Sequence, residues 1–99
     1  MKPKVAGIVW YKSSEDYHKV LLIMEDAFKL PDTYEDFLKR FGESVAFAEM
    51  NGMIPVKAEL DPETFPAWCK ARSLNVDATG RETYANFVAY EYLRDNGML

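Results

Sequence analysis

The sequence is short of the residues that do chemistry. It holds one histidine, His18, and one cysteine, Cys69, among 99 residues. A single cysteine closes no disulfide within the chain, and one histidine supports neither a histidine-based zinc site nor an evident triad. No CxxC, HExxH, GxGxxG, GxxxxGKS/T or GxSxG pattern occurs, so the fingerprints of zinc, nucleotide and hydrolase sites are missing. No cofactor and no metal is implied.

Long apolar runs are missing as well. The longest, Val5 to Tyr11 with Gly7 inside it, has the length of a strand and falls far short of the ~20 residues that cross a bilayer. The N-terminus, Met1-Lys2-Pro3-Lys4 leading into that run, lacks the small-residue cleavage site of a secretory signal. Together with the lone cysteine, this points to a reducing cytoplasm. Clustered positive charge is the third absence. The net charge is −4, and the 12 lysines and arginines are scattered among 16 acids. A duplex-binding protein normally presents a basic face, because phosphate neutralisation supplies much of its affinity. Nucleic acid and anionic membrane are therefore not the expected partners.

What is present suits a packed core. Apolar residues make up 48% of the chain and aromatics 14%. Residues 1–99 form one domain, a length that buries roughly two-thirds of its unfolded surface without staples. Val5-Ala6-Gly7-Ile8-Val9-Trp10-Tyr11 is rich in β-branched and aromatic residues and predicts a strand. Both of its faces, Val5, Gly7, Val9, Tyr11 and Ala6, Ile8, Trp10, are apolar, so it needs cover on both sides. Ser13 or Ser14 caps a first helix with Glu15 and Asp16 in its first turn. Tyr17, Val20, Leu21, Met24, Ala27 and Phe28 keep helical spacing up to Leu30, where Pro31 ends it.

Asp32 or Thr33 caps a second helix that runs to Asn51-Gly52, with Gly42 marking a bend or a close contact. Ile54, Val56, Ala58 and Leu60 alternate with Pro55, Lys57 and Glu59 as a half-buried strand, and Pro55 suits its start or an edge. Asp61-Pro62 opens a third helix with Phe65, Trp68, Cys69 and Leu74 inward. Thr79-Gly80-Arg81-Glu82 reads as the capping box of a last helix ending at Asn96-Gly97. The order is β-α-α-β-α-α, an α+β domain with a small two-stranded sheet packed by four helices. Two strands alone are marginal in water. Helices must cover both faces of the first strand, or a second copy must.

Candidate functional residues fall in three groups. Cys69 and His18, if brought together, would give a nucleophile with a base; a buried thiol and a surface histidine are the plainer expectation. Glu25-Asp26 lies near a helix C-terminus where acids are unfavourable, and paired carboxylates serve acid–base or cation chemistry. A solvated helix face accounts for them without chemistry. Trp10, Tyr11, Val9 and Ile8 are interface candidates on the doubly apolar strand. The last two helices have the lengths of a helix-turn-helix, but the second offers only Arg81 near its start, beside Glu82, so a contact to nucleic acid would be tested at Arg72 and Arg81.

The run Tyr17…Met24-Glu25-Asp26-Ala27…Leu30-Pro31-Asp32-Thr33-Tyr34, followed by Asp61-Pro62-Glu63…Phe65…Trp68-Cys69 and Asp77-Ala78…Arg81…Tyr84-Ala85, resembles a set of uncharacterised bacterial proteins of about 100 residues. The resemblance implies a bacterial cytoplasmic protein and carries no activity. The reading that follows is a non-enzymatic module acting through a protein partner or through a second copy of itself. A small ligand-binding protein or enzyme using Cys69, His18 or the paired carboxylates is the alternative, and a DNA-binding regulator the third.

Overall fold

A computed structural model describes residues 4–99. Strand β1 (Val5–Trp10) leads to helix α1 (Ser14–Ile23), a single 3-10 turn (Ala27–Lys29) and helix α2 (Tyr34–Met50). Strand β2 (Ile54–Glu59), helix α3 (Phe65–Ala71) and helix α4 (Ala78–Asp95) complete the chain. The β-α-α-β-α-α order and the two-stranded sheet are as expected, and the strands run parallel, Val5 opposite Ile54 and Trp10 opposite Glu59. Parallel pairing needs a long crossover, which α1 and α2 supply.

Local chemistry sets several boundaries away from their sequence positions. Ser13 caps α1 by accepting from the Asp16 N–H, and Thr33 caps α2 in the same way through Asp36. Helix α1 stops at Ile23, about two turns before Leu30. Met24 is extended, and the Glu25 N–H donates to the Val76 carbonyl at 2.8 Å instead of continuing the helix. The apolar spacing beyond Met24 was therefore misleading, and Phe28 is 83% exposed. Gly42 sits in unbroken helix with nothing within 4 Å of where a Cβ would lie, so it marks no close contact.

Helix α3 starts at Phe65 rather than Pro62. Asp61 first builds a turn, its carboxylate accepting from the Glu63 N–H and its carbonyl from Phe65. Asp77, not Thr79, caps α4, accepting from the Gly80 N–H at 3.1 Å. At α4 the Asp77 side chain wins an orphan N–H of the helix start from Thr79, whereas α3 has no side-chain cap and is delayed by the turn that Asp61 builds ahead of it.

The two apolar faces of β1 are covered from within the chain. Ala6, Ile8 and Trp10 face α2, where Trp10 packs on Phe41 at a centroid distance of 4.6 Å. Gly7 faces α4 so closely that a Cβ there would lie 2.1 Å from the Ala85 carbonyl oxygen. The sheet is thus sandwiched between α2 and α4. The main core lies beyond its C-terminal end, where Tyr11 and Leu60 meet Tyr17, Val20 and Met24 of the α1 segment, Phe37 of α2, and Phe65 and Cys69 of α3.

Candidate interaction surface

In open parallel sheets the usual ligand position is the crevice outside the carboxyl ends of the strands. Here side chains fill it. Tyr11, Tyr17, Leu60 and Phe65 are each 2% exposed or less. The Tyr17 hydroxyl donates to the Pro31 carbonyl, and burial pushes its pKa up.

The paired acids of the sequence are structural. The Asp26 carboxylate takes both arms of the Arg81 guanidinium, at 2.7 and 3.0 Å, and also accepts from the Ala78 N–H. Hydrogen bonding from Arg81 holds its carboxyl below the ordinary value of 3.8, against the opposing effect of burial. Glu25 accepts from the Val76 N–H at 3.0 Å. These acids therefore strap the 24–26 segment to the start of α4, and the expectation of a solvated face is corrected for Asp26. The sequence carried the signal: Asp26 sits where a helix dipole disfavours it, so it needed a partner, and Arg81 was read only for DNA.

Cys69 is fully buried, its thiol under Gly80, where a Cβ would come within 3.1 Å of the sulfur. Burial raises its pKa, which keeps it a thiol. His18 is exposed and lines a shallow cavity with Ser14, Thr33, Tyr34 and Glu35. No hydrogen bond joins them, and the pairing of nucleophile and base does not form. Arg72 lies over the Trp68 ring, its guanidinium carbon 4.1 Å from the centroid, and donates to the Trp68 carbonyl. Of the two arginines of the helix-turn-helix reading, Arg81 is bound to Asp26 and Arg72 is exposed. Among the described residues no three metal-ligating side chains converge, and no helix is long and apolar enough to cross a membrane.

The four interface candidates of β1 part ways. Tyr11 is buried, and burial takes its phenol well above the usual range. Trp10 is half-buried against Phe37 and Phe41, with the Lys57 ammonium 4.2 Å over its ring. Both are occupied by this chain. Ile8 and Val9 border open space.

That space follows from the ladder. Ile54 donates to the Lys4 carbonyl and Leu60 to the Trp10 carbonyl, so the even-numbered residues of β1 face β2. The N–H and C=O groups of Val5, Gly7 and Val9 point to the outer edge. Tyr34 closes the edge at its far end, its hydroxyl donating to the Tyr11 carbonyl at 2.6 Å. The same phase turns the nitrogen of Pro55 and the backbone of Lys57 and Glu59 to the outer edge of β2. Proline and charge are how sheets guard an edge against pairing. β2 has both; β1 has neither between Val5 and Tyr11.

A groove runs beside the unguarded edge. Its larger part, about 570 Å³, is lined by Ala6 and Ile8 with Arg40, Glu43, Ser44, Phe47, Ala48 and Met53. A smaller cavity of about 180 Å³ continues it past Val9 to Tyr11, sharing Ile8, Arg40 and Ser44. Phe47 is 66% exposed at the groove and Met50 more so one turn on. No family model, curated protein or solved structure matches the chain.

Proposed function

We propose that this chain is a non-enzymatic protein-interaction module whose working surface is the outer edge of β1 with the groove beneath α2. One observation carries the reading: of two sheet edges, one carries Pro55 and has its Glu59 carbonyl taken by the Tyr84 hydroxyl, and the other is left unprotected from Val5 to Val9 beside a largely apolar groove. A free edge offers main-chain hydrogen bonds for affinity, and pockets beside it select alternate side chains of an added strand. The filled strand ends and the separation of Cys69 from His18 favour this over a small-molecule enzyme. With its lone cysteine and the bacterial resemblance, the module belongs in a bacterial cytoplasm.

The test removes an edge donor. The Val9 N–H serves no ladder bond, so Val9→Pro should keep the fold, checked by circular dichroism, while blocking strand addition. Panning a random peptide display library on the native chain should enrich binders that fail on Val9→Pro. Enrichment only of peptides that bind both forms equally would overturn the reading.

A further inference from the structure

We infer that the slot beside β1 takes an extended segment of a different protein, whose residues facing α2 run acidic, basic, apolar at alternate positions from the Tyr11 end toward the Ala6 end. This rests on the interaction reading above and adds the occupant.

The edge is poorly suited to pairing with β1 of a second copy. Helix α4 rides directly over β1, with the Ala85 carbonyl against Gly7. Antiparallel pairing of β1 with β1 of a second copy would crowd two such helices on one face, since strands lie about 4.8 Å apart and packed helices need 8–10 Å, and parallel pairing would crowd each α4 against the other copy's α2. A lone strand carries no helix and meets no such conflict.

Charge then gives the occupant its chemistry. Arg40 and Glu43 stand on the α2 wall of the groove, and neither forms an ion pair among the described residues. Arg40 makes one long hydrogen bond, to the Lys29 carbonyl at 3.5 Å. Helix α2 runs against β1, since Phe37 and Phe41 meet Trp10 while Ala48 and Met53 border the groove with Ala6. Along the edge the wall therefore presents Arg40, then Glu43, then Phe47. The three wall residues span about 10.5 Å along the helix against about 13.4 Å for three same-face residues of a strand, a difference that the long side chains of Arg40, Glu43 and their counterparts take up. A carboxylate opposite Arg40, an ammonium opposite Glu43 and an aliphatic side chain against Phe47 and Met53 complement that wall.

The probes are acetylated, amidated seven-residue peptides. Two have the order Thr-Glu-Thr-Lys-Thr-Leu-Thr and its reverse, to allow either strand direction. Two more exchange glutamate with lysine. Binding to the full chain is read from amide chemical shifts of Val5, Gly7 and Val9. We expect one of the first pair to bind at these amides, and the charge exchange to weaken it about fivefold, the scale of one partly exposed ion pair. The double variant Arg40→Glu with Glu43→Lys should reverse the preference. Binding at the edge without regard to charge order overturns this inference while leaving the interaction reading intact. Edge shifts that grow with protein concentration and no peptide overturn it in favour of a second copy. No edge shift with any probe also overturns it, and the library experiment then decides the wider reading separately.

Discussion

Asp26 and Arg81 stand 55 positions apart and meet fork to fork, both oxygens of one facing both nitrogens of the other, with each side chain about a tenth exposed. The pair fastens the segment after α1 to the first turn of α4. Its neighbours give it further structural weight, since Asp26 also holds the Ala78 N–H and Arg81 lies against the Met24 sulfur. Removing one partner leaves a buried charge uncompensated, which costs about 3 kcal/mol or more. Asp26→Asn should therefore lower the unfolding free energy obtained from urea titration at pH 7 by that amount. Arg81→Met added to it should cost less than the two single changes together, because the orphaned charge is gone. The pH dependence has a definite sign. The folded pKa of Asp26 lies below its ordinary 3.8. Its contribution is complete above that ordinary value and disappears as pH falls through the folded one. Acidification below about pH 4 should destabilise the native chain more steeply than Asp26→Asn.

Gly7 and Gly42 should respond to alanine with opposite signs. At Gly7 a Cβ meets backbone, 2.1 Å from the Ala85 oxygen and 2.8 Å from its carbon, and no rotamer change relieves it. Gly7→Ala should push α4 off the sheet and cost about 1–3 kcal/mol or more. Gly42 lies inside α2 with open space around it, so Gly42→Ala should stabilise by about 0.5–1 kcal/mol through helix propensity alone. Chemical denaturation of both variants checks the pair. Equal effects would mean that α4 is not seated on β1.

The contrast between these glycines marks the limit of what the sequence made legible. Element order, the caps at Ser13 and Thr33 and the need for cover on both faces of β1 follow from propensity and period, which are local. The end of α1 does not. Spacing favoured helix through Phe28, but the Glu25 N–H finds the Val76 carbonyl and Asp26 finds Arg81, contacts that depend on the assembled fold. The same holds for the surface. Strand composition marked Ile8, Val9, Trp10 and Tyr11 alike; only the ladder's phase and the placement of α2 separate the two that border the groove from the two that are covered. Arg40 and Glu43 were missed because a charged residue on an amphipathic helix reads as solvated, whatever lies beside it.

Backbone phase makes the edge itself testable without any partner. Ala6, Ile8 and Trp10 donate into the ladder, whereas Val5, Gly7 and Val9 point away from β2. Amide hydrogen exchange under native conditions should alternate along β1, slow at the first three and faster at the second three. Uniform protection would mean that the outer edge is covered in solution, and the interaction reading would then need a surface other than this one.

Cys69 gives a last discriminating measurement, because the thiol reading of an enzyme requires a reactive sulfur. The side chain is fully buried and its pKa is raised, first by burial and then by the negative charge of Asp77. Alkylation needs thiolate and access, and the native site supplies little of either. Iodoacetamide at pH 8 should label the native chain far more slowly than the urea-unfolded chain, and labelling should follow the unfolded fraction as urea is raised. Cys69→Ala should leave peptide binding at the β1 edge unchanged while lowering stability by about 1 kcal/mol through the small cavity it opens. Rapid labelling of the native protein would put the sulfur at the surface and return the nucleophile reading to consideration.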